Sequence, residues 1–404
     1  MTIHACLAPV ALSICLLTAC SESTWPKRQP LNSSQVKALN ELAAQQQLTN
    51  DASRAAFRGE AWTIGAIPWN STILPLASPD GHWLVTSSGK PASSAARRGL
   101  PGATPPIGSR LEIWELLAGH SGLREHAALD LPLILTDAAD NEGFLVEAPQ
   151  SNGTRWIGKV DWRTSELTWL VKDDAINSMP VIGPMGRLAW CTRQRDEKRF
   201  ALSVRFPEFG TFEIPADKSE WLLPMWSRRN TRLSAWRLGD DGVLTLVSMD
   251  GDSPETMAGP ASQVLIMSGA NRWDAFKATA NRTTVSGLPG PFVEQVLFYH
   301  PIEQRMVVWM PTGINSDRVV PLAPNSIDAV HDDRGDFLLT MPGGLHWQGQ
   351  SDLRNVVRVD HVPVFARGTT DPMRPFLLLD PGANMVRIRG MRPRRQAAST
   401  EQTQ

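Results

Sequence analysis

Cysteine is scarce in this 404-residue chain, and three of the four, Cys6, Cys15 and Cys20, fall within the first twenty residues. The body of the chain is left with Cys191 alone, which excludes a disulfide framework and a paired-cysteine metal site there. An excess of either charge is also lacking: 40 Lys and Arg stand against 41 Asp and Glu, a formal net charge of -1. No global field then draws the chain to nucleic acid, and no nucleic-acid partner is expected. Apolar runs stop short of the roughly 20 residues that span a bilayer as a helix. What remains is an ordinary globular balance, 42% hydrophobic and 20% charged, with enough length to bury a large core.

Catalytic signatures are missing as well. A serine-hydrolase elbow needs Gly-x-Ser-x-Gly, and the nearest string, Gly119-His120-Ser121-Gly122, has the wrong spacing. Asp137, Asp140 and Asn141 do not alternate as a calcium loop requires, and Glu142 stands where glycine is needed. The eight histidines make no pair at zinc spacing. The sequence therefore offers no catalytic residue, no metal site and no cofactor.

What is present begins with an apolar run from Ala5 to Leu17 that ends in Leu17-Thr18-Ala19-Cys20. The run has the length of a signal-peptide core, and the small-residue step into cysteine resembles a bacterial lipobox. The reading is a lipoprotein signal over 1–19, with Cys20 as the lipid-attachment residue. Its departure from the pattern is an n-region, Met1 to His4, without Lys or Arg; an ordinary secretory signal or an uncleaved anchor is the alternative. With Ser21 rather than Asp after the cysteine, the resemblance implies the outer membrane, facing the periplasm or the outside.

Residues 20–32, with Pro26 and Pro30, read as a tether. Ser33 or Ser34 offers an N-cap, and Val36, Leu39, Leu42 and Ala43 recur at helical spacing through Gln47, with a second short helix over Asp51–Phe57 stopped by Gly59, so 33–61 is expected to be a short helical segment. From Trp62 to about Pro393 the pattern changes to short apolar stretches broken by Gly, Pro, Asn and Asp. Arg155–Trp162 alternates, turns through Arg163-Thr164-Ser165-Glu166 and returns over Leu167–Val171; Phe200–Phe206 and Thr211–Ile214 pair likewise across Pro207-Glu208-Phe209-Gly210. These are antiparallel hairpins.

A turn-then-strand unit recurs: Ser78-Pro79-Asp80-Gly81 before Trp83-Leu84-Val85, Gly143 before Phe144, Gly186 before Leu188, Asn230 before Leu233, Gln304 before Met306, Gly335 before Phe337, and Gly382 before Met385. The steps from Gly143 to Gly186 and on to Asn230 are 43 and 44 residues, the length of a four-stranded propeller blade, while the next two steps, 74 and 31, break the period. Ser78-Pro79-Asp80-Gly81 followed by an apolar strand is similar to the repeat of TolB-like and WD-repeat-like β-propellers. The resemblance implies an all-β propeller over 62–393, with seven blades favoured over six or eight. The sialidase repeat Ser-x-Asp-x-Gly-x-Thr-Trp is absent, because Asp80 and Gly81 are adjacent.

Fifteen tryptophans, among them Trp83, Trp114, Trp169, Trp190, Trp236 and Trp309, are expected to fill gaps between twisted sheets rather than to stack on sugar. Cys191, inside Leu188-Ala189-Trp190-Cys191, reads as a buried inert thiol. Lys90–Ser109 reads as a long loop, and 394–404 as a disordered tail whose Arg392, Arg394 and Arg395 form a basic cluster able to touch acidic lipid or polysaccharide. His331-Asp332-Asp333 and Asp360-His361 are the acid and histidine neighbours closest in sequence. The functional expectation is a monomeric, non-catalytic docking or scaffold module of the cell envelope, lipid-anchored, with an envelope protein or polysaccharide as partner. The alternative is a surface glycoside hydrolase or lyase working at the propeller channel.

Overall fold

The computed structural model describes residues 57–69, 74–90, 107–117, 122–227, 231–272, 274, 284–286, 295–312, 317–331, 336–349, 353–354, 356–362, 364–382 and 384–395. Among these the strands form five four-stranded antiparallel sheets and one eight-stranded sheet, the last made of two four-stranded antiparallel groups; each group of four is one unit. The first unit is Leu76–Ala77, Trp83–Lys90, Ile107–Leu116 and Leu123–Leu129; the second is Ile134–Ala139, Gly143–Pro149, Arg155–Asp161 and Leu167–Val171. The third is Ile176–Ile182, Leu188–Arg193, Ala201–Phe206 and Gly210–Ile214, and the fourth Ser219–Trp226, Arg232–Gly239, Leu244–Asp250 and Ser262–Met267. The fifth is Thr284–Ser286, Gln295–His300, Arg305–Trp309 and Val319–Pro321, and the sixth Asp328–His331, Phe337–Met341, Gly344–Gln348 and Val356–Asp360. The seventh is composite: Phe365–Gly368, Phe376–Pro381 and Met385–Arg395 are completed by Phe57–Pro68 from the other end of the chain.

The units follow one another around a ring. Leu76–Ala77 lies against Ile134–Ala139, Ile176–Ile182 against Ser219–Trp226, and Asp328–His331 against Phe365–Gly368, so the first strands form the inner wall. One parallel pairing, Ile176 with Arg155, joins the second and third units. The seventh closes on the first through the cluster of Ile67, Leu84, Leu377 and Ile388. This is a β-propeller.

The turn chemistry read in the sequence builds the hairpins. Asp80 accepts the His82 amide at 3.1 Å, the Ser78 hydroxyl accepts the Trp83 amide at 3.0 Å, and Gly81 takes φ +71°, where a side chain would also press on Thr369. Asp140, Asp161, Asp241, Asp250 and Asp360 each hold an amide two residues on, at 2.8 to 3.1 Å, so one carboxylate-to-backbone bond marks turn after turn.

Packing between units is apolar, and one cluster runs from Met179 and Cys191 of the third unit through the fourth to the fifth. Leu111 and Ile113 meet Phe144 between the first and second units, Trp221 and Leu233 meet Leu202 and Val204 between the third and fourth, and Trp236 meets Phe298 and Trp309 between the fourth and fifth. The Trp236 and Phe298 rings sit edge to face at 5.2 Å. Trp236 and Trp309 are fully buried and Trp83 and Trp190 nearly so, while Trp169 on an outer strand is 36% exposed.

Three expectations are corrected. Residues 57–61 are not the end of a helical segment: Phe57–Pro68 is a strand, and Gly59, read as a helix stop, lies opposite Pro393. The rest of the expected helix, 33–56, lies outside the described residues. Arg394 and Arg395, assigned to a disordered tail, pair with Arg58 and Phe57 as the end of Met385–Arg395. Long-range pairing overrides the local pattern at both ends, because the closing sheet needs a fourth strand. The broken period also has a cause: Met306–Trp309 and Met385–Arg387 are in third strands of their units, whereas the other repeat strands are second strands. In the fifth unit the second strand is Gln295–His300, which the repeat reading passed over.

Trp236→Ala opens a cavity between two units with no flexible surface beside it. It is expected to cost about 3–5 kcal/mol in urea unfolding, and a loss under about 1 kcal/mol would show that the inter-unit cores do not set stability.

Candidate functional site

A group of buried polar side chains lies where the second, third and fourth units meet. It begins with proline. Met179-Pro180 in Ile176–Ile182 and Leu223-Pro224 in Ser219–Trp226 interrupt the ladder, since proline has no N–H to donate, and the register slips between Ser178 and Val181 and between Leu222 and Met225. The residues before the prolines take φ +57° and +50°, strained for Met and Leu. Each bulge frees an amide. That of Met179 donates to Glu147 at 2.7 Å, and that of Leu223 points at the Met179 sulfur at 3.4 Å.

Glu147 is the centre of this group. It belongs to the second unit, is 2% exposed, and also binds the Arg155 guanidinium at 2.5 Å and the Ser178 hydroxyl at 3.1 Å. Beside it Asn177 is fully buried and fully used: its amide donates to the Arg155 carbonyl and Asp173, and its oxygen accepts from the Trp190 indole and the Thr192 hydroxyl, both at 2.9 Å. The arrangement takes up the Met179 amide and ties the second unit to the third through side chains.

Glu220 of the fourth unit is nearly as buried and is held by Arg272 and the Phe200 amide. Burial outweighs Arg272 and raises its carboxyl above the ordinary 4.5. Cys191 lies between these acids, fully buried, and burial first, then the Glu220 charge, pushes the thiol well above its ordinary range. An inert thiol is the outcome. Burial, with the Arg272 charge next in weight, lowers Arg193. Similar tethers recur elsewhere: Arg187 to Asp252 at 3.2 Å joins the third and fourth units, and Arg367 to Asp328 at 2.9 Å and Arg389 to Asp360 at 2.7 Å join the sixth and seventh.

Of the residues singled out in the sequence, Cys20, Asp332, Asp333 and Gly119-His120-Ser121 lie outside the described residues, as do 91–106 of the long loop. His331 packs on the Phe337 ring at 4.9 Å. Asp360 is committed to Arg389 and the Val362 amide, and Asp140 to its own turn and to Lys159 at 2.7 Å. Among the described residues no group of three or more His, Cys, Asp or Glu is placed to hold a metal ion. Glu147, Arg155 and Glu220 escaped the sequence reading. Their signal was a lone acid in the apolar strand Gly143–Pro149 and a proline inside each of two strands.

Comparison with known proteins adds the following. No family model matches the chain, and no curated protein does. Among solved structures, Raptor of Chaetomium thermophilum is 12% identical with a TM-score of 0.47, over 91% of this chain and 31% of that one. Sqt1 of Saccharomyces cerevisiae is 10% identical with a TM-score of 0.41, over 78% and 82%. Prolyl oligopeptidase B of Galerina marginata is 11% identical with a TM-score of 0.40, over 85% and 58%. The chain spans about a third of the length of Raptor.

Glu147→Met strands a buried guanidinium and is expected to cost about 3–5 kcal/mol, whereas Glu147→Met with Arg155→Met recovers most of that loss; equal losses in urea unfolding would refute the pairing. Glu220 gives a pH dependence. Because its folded value lies above the unfolded one, its contribution is fully present below about pH 4.5 and is lost as pH rises through the folded value. Glu220→Gln is expected to flatten the stability profile across that window, and an unchanged slope would contradict the assignment.

Proposed function

We propose that this chain is a non-catalytic docking module of the bacterial envelope, held to a membrane by lipid on Cys20 and presenting one rim of the ring to an envelope protein. Connections between second and third strands, and those from one unit to the next, emerge together at one rim. There Ile302, Val362 and Met385, from the fifth, sixth and seventh units, are 63%, 39% and 50% exposed. This apolar series on adjacent units is the observation that carries the reading. Isolated exposed apolar residues are ordinary, but a series across neighbouring connections suits a partner surface.

The ring behind it is built to stay rigid. Glu147, Asn177, Asp328 and Asp360 are spent on bonds that join one unit to the next. The alternative, a carbohydrate-active enzyme at the channel, needs acids from separate units free to exchange protons with substrate. Among the described residues the buried acids Glu147, Glu220 and Asp328 are held by Arg155, Arg272 and Arg367.

The test is cross-linking in intact producing cells, followed by purification and mass spectrometry. One envelope protein recovered near stoichiometry, linked to the rim of the fifth to seventh units and reduced at least about tenfold by Ile302→Glu with Val362→Glu, is the expected result. Recovery of the chain alone, or a partner indifferent to the double variant, would overturn the docking reading. Turnover of a glycan by the purified chain would replace it with the enzyme.

A further inference from the structure

The two closing strands are longer than the sheet they close. Phe376–Pro381 pairs with Met385–Arg395 only as far as Phe376 opposite Met391, while Phe57–Pro68 follows it four residues further, to Phe57 opposite Arg395. A two-stranded ribbon therefore projects beyond the seventh unit, made of Phe57-Arg58-Gly59-Glu60 and Arg392-Pro393-Arg394-Arg395. It carries four arginines and one acid, in a protein whose overall charge is -1. In the register Arg394 stands opposite Arg58 and Arg392 opposite Glu60, so the ribbon keeps a net excess of basic residues, and Arg392 is exposed.

The ribbon projects at the rim opposite the one proposed for the partner. That rim gathers the connections between first and second and between third and fourth strands, and it exposes Met373 beside the start of Phe376–Pro381, Met185 and Phe209, at 53%, 64% and 59%. Met185 also holds φ +57° at the tip of its turn. Basic residues with exposed apolar side chains on one surface match the two attractions of a bilayer interface, anionic headgroups and the acyl boundary beneath them. Everything upstream in the chain, including Cys20, joins the ring at Phe57, inside this ribbon.

We propose that the ribbon of 57–60 and 392–395 docks on the surface of a bilayer containing anionic phospholipid and so fixes the rim with Met373, Met185 and Phe209 toward the membrane. The inference rests on the lipid-anchored reading for its location, since the anchor delivers the ribbon to the bilayer. A lipid on one residue of a tether leaves the ring free to turn; a second, electrostatic contact at the tether's point of attachment orients it. The partner rim then faces away from the bilayer.

The test uses the full chain reconstituted into vesicles of phosphatidylcholine, with and without phosphatidylglycerol, read by amide hydrogen exchange. Phosphatidylglycerol is expected to slow exchange in 57–60 and 392–395 about tenfold or more, an effect removed by high salt and by Arg392→Glu with Arg394→Glu and Arg395→Glu. The same variant should keep the thermal unfolding of the ring. Equal exchange in the two kinds of vesicle, or protection that survives the triple reversal, would overturn the proposal. Failure of the anchor has a different signature: Cys20 takes up no fatty-acid label and the chain is lost from both kinds of vesicle alike, whereas failure of the ribbon leaves the label in place and removes only the difference between lipids.

Discussion

Closure of the ring by Phe57–Pro68 is the constraint on which the rest of the molecule depends. A four-stranded sheet buries both faces only if it has a neighbour on each side, and a row of such sheets has two unpaired ends unless it returns on itself. Here the return is covalent as well as geometric. The strand from one end of the chain completes the sheet formed by the other end, and Ile67 packs with Leu84 and Leu377 across the join. Without this strand, the apolar face of Leu377, Val386 and Ile388 would lose its cover, and the first unit would lose its neighbour.

Two adjacent strands of the inner wall are interrupted by proline. Pro180 and Pro224 give up ladder bonds in two adjacent inner strands and leave amides that Glu147 and the Met179 sulfur then occupy. A buried carboxylate is costly unless it is paired and fully hydrogen-bonded. Glu147 meets that condition with Arg155, Ser178 and the Met179 amide, so the bulge and the ion pair account for each other. Glu220 meets it less well, and its raised carboxyl is the mark of that deficit.

The two rims follow from the same geometry. Successive strands in a meander alternate direction, so connections sort into two sets at opposite ends of every unit, and side chains far apart in sequence come to share a surface. Ile302 and Met385 stand on one rim in this way, and Phe209 and Met373 on the other. A basic ribbon at the second rim and an apolar series at the first give the ring two chemically different ends.

Much of the architecture was legible in the sequence because it is written in short-range chemistry. Alternating apolar residues in Arg155–Asp161 and the aspartates that close their own turns, from Asp80 to Asp360, act over two to eight residues, and they specify antiparallel strands wherever they occur. The repeat length followed until a strand of ordinary appearance, Gln295–His300, was passed over. The tertiary structure alone decided that Phe57 belongs to a strand, that Arg394 belongs to its partner, and that Glu147 belongs to the third unit as much as to its own. Those residues take their conformation or their partners from parts of the chain tens to hundreds of positions away. No local pattern encodes a neighbour that exists only once the ring has closed.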